Sequence, residues 1–255
     1  MREFKYMENL NKDLLLFSDT NTPAFTEIDF PLDWSMTRSE RYGFIHVLKQ
    51  IKPKISIEIG TYNGGSLQVI SKYSEKVYAI DNDPTIIDRL GNKFDNVEFL
   101  IGDSKTVIPK LMKDLQAKNE SIEFALIDGD HSTEGVATDI KNLLVYKPIK
   151  SLHIILHDSF NPRCRKGMKT YNYNNNKYVH YVELDFISGI FNPDDLGRQM
   201  WGGLALIILF PYERTIPLKV YQSELKLYNV VYKHSIHFLK NSLSFLKPIV
   251  RIFRK

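Results

Sequence analysis

The stretch Ile55–Ser66, which reads ISIEIGTYNGGS, decides the fold of this 255-residue chain. An apolar run leads into Glu58 and then into a turn that contains Gly60, Gly64 and Gly65, and the following SLQVISKY repeats apolar side chains at helical spacing. A buried strand, a glycine turn and a helix expose first-turn N–H groups that can bind an anionic or polar ligand. A tight turn without a ligand is the alternative. The G-x-x-x-G-G spacing differs from the dinucleotide fingerprint G-x-G-x-x-G, which disfavours a nicotinamide cofactor.

Strand and helix patterns alternate on both sides of this stretch. A helix with capping-box spacing starts at Thr37-Arg-Ser-Glu40. Five β-α units predict an α/β fold with a Rossmann-like, doubly wound, mostly parallel sheet. Residues 159–176 read as an irregular polar loop. The predicted strands are 55–59, 76–80, 97–101, 122–127, 152–156, 178–184 and 204–210.

The composition narrows the class of protein. Cys164 is the only cysteine, which rules out an internal disulfide framework and a Cys-based metal site. The longest apolar run, Leu204–Phe210, is too short to span a membrane, and the N-terminus lacks the apolar core of a signal peptide. These features are compatible with a cytoplasmic location. The net charge is +4, but residues 231–255 hold six Lys and Arg residues and no acid, so the remainder is net −2. A mildly acidic body with a basic tail argues against a nucleic-acid-binding protein.

The patterns divide the chain into three regions. Residues 1–36 are predicted to be an adapter or lid, residues 37–215 the main domain, and residues 216–255 a basic amphipathic helical tail. In the tail, apolar residues at 232–253 recur at spacings of four and three, and Pro248 should break or kink the helix. This helix either covers the domain's own core or lies on an anionic membrane surface or a partner.

Acidic side chains follow the carboxyl ends of the predicted strands. Ligands bind at that edge of an open parallel sheet, so we expect these carboxylates to converge although they are far apart in sequence. Turn formation or helix capping is the alternative for each one taken singly. The residues are Glu58, Asp81, Asp103, Asp128, Asp130 and Asp158.

Residues 40–210 resemble class I S-adenosylmethionine (SAM)-dependent methyltransferases, most closely the metal-dependent O-methyltransferases of the catechol, caffeoyl-CoA and macrolide-sugar kind. The residues that carry the resemblance are Glu58-Ile-Gly-Thr-Tyr-Asn-Gly-Gly-Ser66, which fits E-x-G-x-Y-x-G-x-S, together with Asp81-Asn-Asp-Pro84 and Gly102-Asp-Ser104. The resemblance implies a seven-stranded sheet whose last two strands form an antiparallel hairpin. It also implies that the 37–215 region is the methyltransferase domain.

The resemblance implies a cofactor role for the loops after the first three strands. The Gly60–Gly65 loop would hold the methionine part of SAM, with Ser66 near its carboxylate. Asp81 would accept the ribose hydroxyls, and Asp103 with Ser104 beside it would accept from the adenine amino group. The residues predicted to bind the cofactor are Glu58, Gly60, Thr61, Tyr62, Gly64, Ser66, Asp81, Asp103, Ser104 and Asp128.

The resemblance also implies a divalent-metal site, for Mg²⁺ or another ion that prefers oxygen ligands. Asp128 and Asp158 are the implied ligands, Asp130 could replace Asp128, and His157 or a water could fill the third place. His131 stands where catechol-type enzymes have a lysine base, so His131, Asp128 and Asp158 are the predicted catalytic residues, with a purely structural His131 as the alternative. The basic cluster at 163–166, RCRK, could hold a phosphate or carboxylate of the acceptor.

These inferences predict a metal-assisted, SAM-dependent O-methyltransferase that acts on a hydroxyl of a sugar, glycan precursor or secondary metabolite. Its partner would be a small-molecule or glycan acceptor, with peripheral membrane contact through the tail and homo-oligomerisation both left open. Two alternatives remain at this point: an enzyme similar to cephalosporin hydroxylase on the same fold, and a non-catalytic partner protein that binds SAM or a nucleotide.

Overall fold

The structure is a computed structural model that describes residues 30–191 and 198–242. The chain divides into two compact units, residues 1–31 and residues 32–255, and every helix and strand described lies in the second. The helices are α1 (Arg38–Ile51), α2 (Gly65–Tyr73), α3 (Ile86–Leu90), α4 (Ser104–Ala117), α5 (Thr133–Leu143), α6 (Pro162–Thr170), α7 (Leu225–His234) and α8 (Ile236–Ser242). The strands are β1 (Ile55–Ile59), β2 (Lys76–Asp81), β3 (Val97–Ile101), β4 (Ile122–Ile127), β5 (Leu152–His157), β6 (Val179–Ile187), β7 (Ile190–Phe191), β8 (Met200–Trp201), β9 (Leu204–Leu209) and β10 (Val220–Tyr221).

One large sheet organises the second unit. Its strand order is β10-β6-β9-β5-β4-β1-β2-β3, and β1 pairs in parallel with β2 on one side and β4 on the other. The chain therefore runs outward from β1 in one direction and returns to build the other half, which creates a switch point at the carboxyl ends of β1 and β4. β9 is antiparallel to both β5 and β6. The predicted Rossmann-like fold with a C-terminal antiparallel hairpin is confirmed, and the edge strand β10 makes eight strands where seven were expected.

The central strands are buried on both faces. Every residue of β1 and of β4 is buried, including the polar Ser56, Glu58 and Glu123. Helix α1 packs on this core through Phe44, whose ring meets that of Phe124 edge to face at 5.7 Å. The packed interior fixes the strand ends, and the loops at those ends carry the polar side chains.

Two sequence-based expectations were wrong. Residues 159–176 are not an irregular loop throughout, because they contain α6. The side chain of Asn161 accepts a hydrogen bond from the backbone of Arg163, and Pro162 occupies the first turn, where its missing N–H is not needed. The 3-10 turn Tyr173–Asn175 follows.

The C-terminal helical region also differs from its prediction. In the described part of the predicted stretch 232–253, α7, which begins at Leu225, ends at His234, and α8 follows after Ser235. Residues 243–255, including Pro248, and residues 1–29 of the predicted adapter lie outside the described residues, and the three predicted regions stay a prediction. No helix within residues 30–191 and 198–242 combines the length and apolar character needed to cross a bilayer.

Candidate active site

A cavity of about 750 Å³ lies at the carboxyl ends of the central strands. Its walls come from the loops after β1, β2, β3, β4 and β5, together with the segment Asp33–Met36 that precedes α1. Most of the residues predicted to form a site reach this one cavity. They are Gly60, Thr61, Tyr62, Ser66, Asp81, Asp103, Ser104, Asp128, Asp130, His131 and His157.

The glycine loop after β1 is shaped by a backbone conformation that disfavours other residues. Gly60 has a φ of +89°, and a Cβ placed on it would lie 2.2 Å from the carbonyl oxygen of Asp128. The backbone N–H groups of Thr61 and Tyr62 both donate to Asp81 Oδ2, at 2.9 and 3.0 Å. The loop is therefore held against the ends of both β2 and β4, with its open side facing the cavity.

Glu58 supports this loop from behind, and neither it nor Gly64 lines the cavity. The Glu58 side chain is fully buried, and Ser66 Oγ donates to its Oε1 at 2.6 Å. Burial raises the pKa of Glu58 to about 8 against the hydrogen bonds from Ser66 and Thr61, and the negative charges of Asp128 and Asp81 add to the rise. Glu58 is therefore mostly a neutral acid at neutral pH, and it ties α2 to β1.

Asp81 and Asp103 each combine a structural contact with a place on the cavity wall. Asp81 Oδ1 accepts from the backbone of Asp83 at 2.9 Å, while its other oxygen holds the glycine loop. Asp103 is the N-cap of α4, and its Oδ1 accepts from Lys105 N at 2.9 Å. A carboxylate offers about four lone pairs, so both groups keep capacity to accept from a ligand hydroxyl or amino group.

Carboxylates and imidazoles form a connected cluster at the end of the cavity near β4 and β5. Asp128 Oδ1 lies 2.9 Å from His157 Nδ1 and 3.2 Å from His131 Nε2. The other ring nitrogen of His131, Nδ1, lies 3.7 Å from Asp158 Oδ2. The side chain of His131 is about half exposed, at 51%, whereas those of His157 and Asp158 are buried. His131 is therefore the member of the cluster that an incoming molecule can reach.

Asp158 is held in an unusual backbone conformation beside this cluster. Its φ is +62°, a left-handed value that costs a non-glycine residue free energy and that recurs at functional sites. The backbone N–H of Gly202 donates to Asp158 Oδ1 at 2.6 Å, which fixes the carboxylate from the side opposite His131. Asp158 does not line the cavity itself and reaches it through His131.

The carboxylates and imidazoles of the cluster stabilise each other's charged forms. Burial would raise the pKa of Asp128, but the charge of His157 and hydrogen bonds from both imidazoles hold it below its ordinary value. The hydrogen bond to Asp128 raises the pKa of His131 against the effect of burial, and Asp158 raises it further. Burial would lower the pKa of His157, but Asp128 and Glu40 hold it well above its ordinary value. Both imidazoles thus favour the protonated form next to ionised carboxylates.

The predicted metal ligands do not fit a metal ion in this arrangement. Both oxygens of Asp130 accept from Ser132 at the start of α5, as expected of a helix-capping aspartate. His157 directs one ring nitrogen to Asp128 and the other to Glu40, so neither is free to act as a ligand. In the described part of the chain, no three or more His, Cys, Asp and Glu side chains are grouped so that they could hold a metal.

Sequence reasoning missed Glu40 and gave Arg165 an unsuitable role. Glu40 is completely buried and lies 3.3 Å from His157 Nε2. In the sequence, the capping box with Thr37 was the only sign of a role for Glu40. The structure contains this capping box, but it explains only the contact of Glu40 with Thr37. Arg165 is also buried and forms a two-pronged ion pair with Asp185, at 2.6 and 3.2 Å, so its guanidinium is not available to an acceptor.

A family model described as a methyltransferase domain matches residues 57–159, the stretch from β1 to the residue after Asp158. Residues 57–159 are thus similar in sequence to methyltransferase domains. The matched stretch covers the glycine loop and both halves of the carboxylate–imidazole cluster, while α1 and Glu40 lie outside it.

Curated relatives of this chain include rhamnosyl O-methyltransferases from Mycobacterium tuberculosis and Mycobacterium bovis. Each is 27% identical over 132 residues, which is 48% of this chain and 52% of the relative. The chain therefore spans about half the length of the curated relatives it matches. The predicted resemblance to methyltransferases is confirmed.

Solved structures agree with the fold. The O-methyltransferase TomG from Streptomyces achromogenes, determined in complex with SAM, has a TM-score of 0.50 at 12% identity, covering 72% of this chain and 86% of its own. Cofactor-bound Rv0187 from MTB has the same TM-score at 16% identity, covering 79% of this chain and 96% of its own. At these identities the similarity concerns the fold.

Proposed function

We propose that this methyltransferase transfers a methyl group from SAM to a hydroxyl oxygen of a sugar, glycan precursor or secondary metabolite. The observation that carries the proposal is the position of His131. Its exposed imidazole faces the cavity, and Asp128 and Asp158 lie 3.2 and 3.7 Å from its two ring nitrogens. An exposed imidazole backed by two carboxylates is suited to removing a proton from a hydroxyl.

The cavity supports SAM as the donor. Gly60 allows the backbone to approach without a Cβ, and the cavity is of the size typical for small-molecule sites. The loop from Gly60 to Gly65 would hold the methionine part, Asp81 the ribose, and Asp103 with Ser104 the adenine. When bound, SAM supplies the electrophilic methyl group of its sulfonium. The protein's own contribution there is to hold donor and acceptor in line, which is the largest share of catalysis in a direct displacement.

His131 would act as the general base. In the molecules in which His131 is neutral, Nε2–H donates to Asp128, and Nδ1, whose 3.7 Å separation from Asp158 is longer than a hydrogen bond, accepts the hydroxyl proton. At the same time the acceptor oxygen gains its bond to the methyl carbon and the bond from that carbon to the sulfonium sulfur breaks, and the two carboxylates then stabilise the imidazolium. Asp128 also fixes the ring orientation through its 3.2 Å contact with Nε2. Because Asp128 in turn holds His157, the base rests on a buried ion pair rather than on solvent. Removal of a positioned base typically slows catalysis by about 10²–10⁴-fold.

A deoxysugar hydroxyl is the acceptor we would test first. The support is the name of the mycobacterial relatives, rhamnosyl O-methyltransferase, and those relatives match half of this chain. Methyl transfer from labelled SAM to a panel of rhamnosides, other sugars and catechols is the direct test, with calorimetric titration of SAM and its demethylated product alongside. Turnover on sugars supports the proposal. Donor binding without turnover on any hydroxyl supports a non-catalytic binding protein, and absence of donor binding removes the proposal.

The predicted assistance by Mg²⁺ is a separable part of the proposal. A cation at Asp128 and Asp158 would require the imidazoles of His131 and His157 to move away from these carboxylates. Turnover measured with EDTA, and again after Mg²⁺ is restored, separates the two cases. Retained turnover in EDTA favours His131 as the unaided base, and activity that returns only with Mg²⁺ favours a metal-assisted reaction.

The C-terminal helices support membrane contact as a further part of the proposal. Residues 225–242 contain three lysines and no acid, and several of their apolar side chains are exposed, namely Leu225, Leu227, Val230, Phe238 and Leu239. A basic surface with exposed apolar groups suits an anionic lipid headgroup region and an acceptor linked to lipid. Flotation of the full-length protein with anionic and with neutral vesicles tests this directly. Equal recovery with both would argue against the electrostatic contact.

A further inference from the structure

Glu40 is a buried carboxylate that the proposed reaction does not use directly. It lies in α1, is completely inaccessible to solvent, and does not line the cavity. Burial of a carboxylate is unfavourable unless charge partners and hydrogen-bond donors surround it. Glu40 has both kinds of partner, and apart from the helix cap they belong to the two elements that hold the carboxylate–imidazole cluster.

The first connection runs from Glu40 to His157. Glu40 Oε1 lies 3.3 Å from His157 Nε2, a contact that is an ion pair rather than a well-aligned hydrogen bond. The opposite nitrogen, Nδ1, lies 2.9 Å from Asp128. The imidazole is therefore held at both ends by carboxylates, and turning its ring would break both contacts. Glu40 thus fixes the direction from which His157 meets Asp128, the residue that orients His131.

The second connection runs from Glu40 to Asp158. The backbone N–H of Gly203 donates to Glu40 Oε1 at 2.5 Å, and the neighbouring N–H of Gly202 donates to Asp158. Both glycines have positive φ, and a Cβ on Gly202 would lie 2.9 Å from Glu40 Oε1. The turn is thus built closely around this carboxylate. Removing Glu40 would release the donor that holds Asp158 on the far side of His131.

We propose that Glu40 is a positioning residue for methyl transfer, acting through His157 and through the Gly202–Gly203 turn to hold Asp128 and Asp158 on either side of His131. The inference rests on the proposed function, in which His131 is the base. In this proposal α1, which lies outside the stretch matched by the family model, aligns the acid–base cluster. The glycine loop binds the donor independently of α1.

The test compares Glu40→Gln with a matched control, Glu123→Gln, in the full-length protein. Glutamine keeps the size of Glu40 and can still accept from the Gly203 N–H, but it has no negative charge to form the ion pair with His157. Glu123 is also a buried glutamate, it contacts Lys54 and Lys150, and it lies at the opposite end of β4 from the cavity. The control thus reports the general effect of removing a buried carboxylate.

Two readouts separate positioning from structural support. In ¹⁵N-resolved NMR of the imidazole rings, Glu40→Gln should shift the resonances of both His157 and His131, whereas Glu123→Gln should shift neither. In steady-state assays, Glu40→Gln should lower kcat by about 10- to 100-fold. The dissociation constant for SAM should stay within about twofold of the wild-type value, since Glu40 contributes nothing to the glycine loop.

Several results would overturn the inference. If the NMR resonances of His131 do not shift in folded Glu40→Gln, the inference is wrong, and this test needs no known acceptor. An unchanged kcat in Glu40→Gln would also overturn it. Equal losses of donor affinity and of kcat would show that Glu40 only supports the fold. A wild-type protein that turns over no hydroxyl acceptor would instead remove the proposed function, and the NMR comparison would still decide whether Glu40 organises the cluster.

Discussion

Replacement of the buried Asp139 by asparagine should stabilise the protein more at pH 8 than at pH 5. Asp139 lies in α5, is 1% exposed, and accepts from Ser104 Oγ at 2.7 Å through Oδ1. Its Oδ2 is buried and has no hydrogen-bond partner among the described residues. Burial raises the pKa of Asp139 to about 6, and the nearby carboxylates of Asp130 and Asp103 contribute to the rise.

The magnitude follows from that pKa. The folded protein binds this proton more tightly than the unfolded chain, so the stability contributed by Asp139 is fully present below the ordinary pKa near 3.8 and is lost as the pH rises through about 6. A rise of about two units corresponds to about 3 kcal/mol, and roughly half of it falls between pH 5 and pH 8. Asparagine carries no ionisable group, so the free energy of unfolding of the variant should rise by about 1.5 kcal/mol relative to that of the wild type over that interval.

The assay is urea unfolding at pH 5 and pH 8, followed by circular dichroism, for Asp139→Asn, the wild type and the exposed control Asp114→Asn. The new amide leaves a buried N–H group without a partner, which costs about 1–3 kcal/mol, but this cost is the same at both pH values. The difference between the two pH values therefore isolates ionisation. An equal effect of the substitution at pH 5 and pH 8, or a larger gain at pH 5, would refute the reasoning.

Three further outcomes are expected. His131→Gln should reduce kcat by about 10²–10⁴-fold while calorimetry finds SAM affinity retained, and a loss of affinity instead would contradict its role as the base. Gly60→Ala should abolish SAM binding in the same titration, since its Cβ would lie 2.2 Å from a backbone oxygen that cannot move aside, and retained affinity would argue against the loop as donor site. Arg165→Met should lower the free energy of unfolding by about 3–5 kcal/mol because it leaves the buried Asp185 charge unpaired. The KM for the acceptor should not change in Arg165→Met. A rise in this KM without a change in kcat would show that Arg165 does contact the acceptor.

The parallel half of the sheet was predictable from sequence almost to the residue. Strands β1, β3 and β4 begin and end where expected, and β2 and β5 are each one residue longer. The reason is that each strand is a short segment rich in apolar and β-branched residues, and polar turns then terminate it. The same rule placed the acidic side chains at one edge of the sheet, and the structure brings most of them to one cavity.

The elements outside that half were less predictable. Helix α6 is rich in charge and has a weak apolar stripe, so the signals at Asn161 and Pro162 were outweighed by its composition. Strand β10 has two residues, too few to show any periodicity. The role of Glu40 could not be inferred because a capping box accounts for the residue locally, whereas its contacts with His157 and Gly203 depend on tertiary packing across the sheet.

The segment before β1 sets a limit on how this chain can be subdivided. Trp34 and Met36 form part of the cavity wall, and Arg41 anchors their carbonyl oxygens to α1. A chimera joined just ahead of Ile55 would keep the stretch that matches the methyltransferase family model, yet its cavity would lack the wall formed by the segment before α1. In protein engineering, a segment exchanged between such proteins should therefore begin before the stretch matched by the family model, at the residues that precede α1.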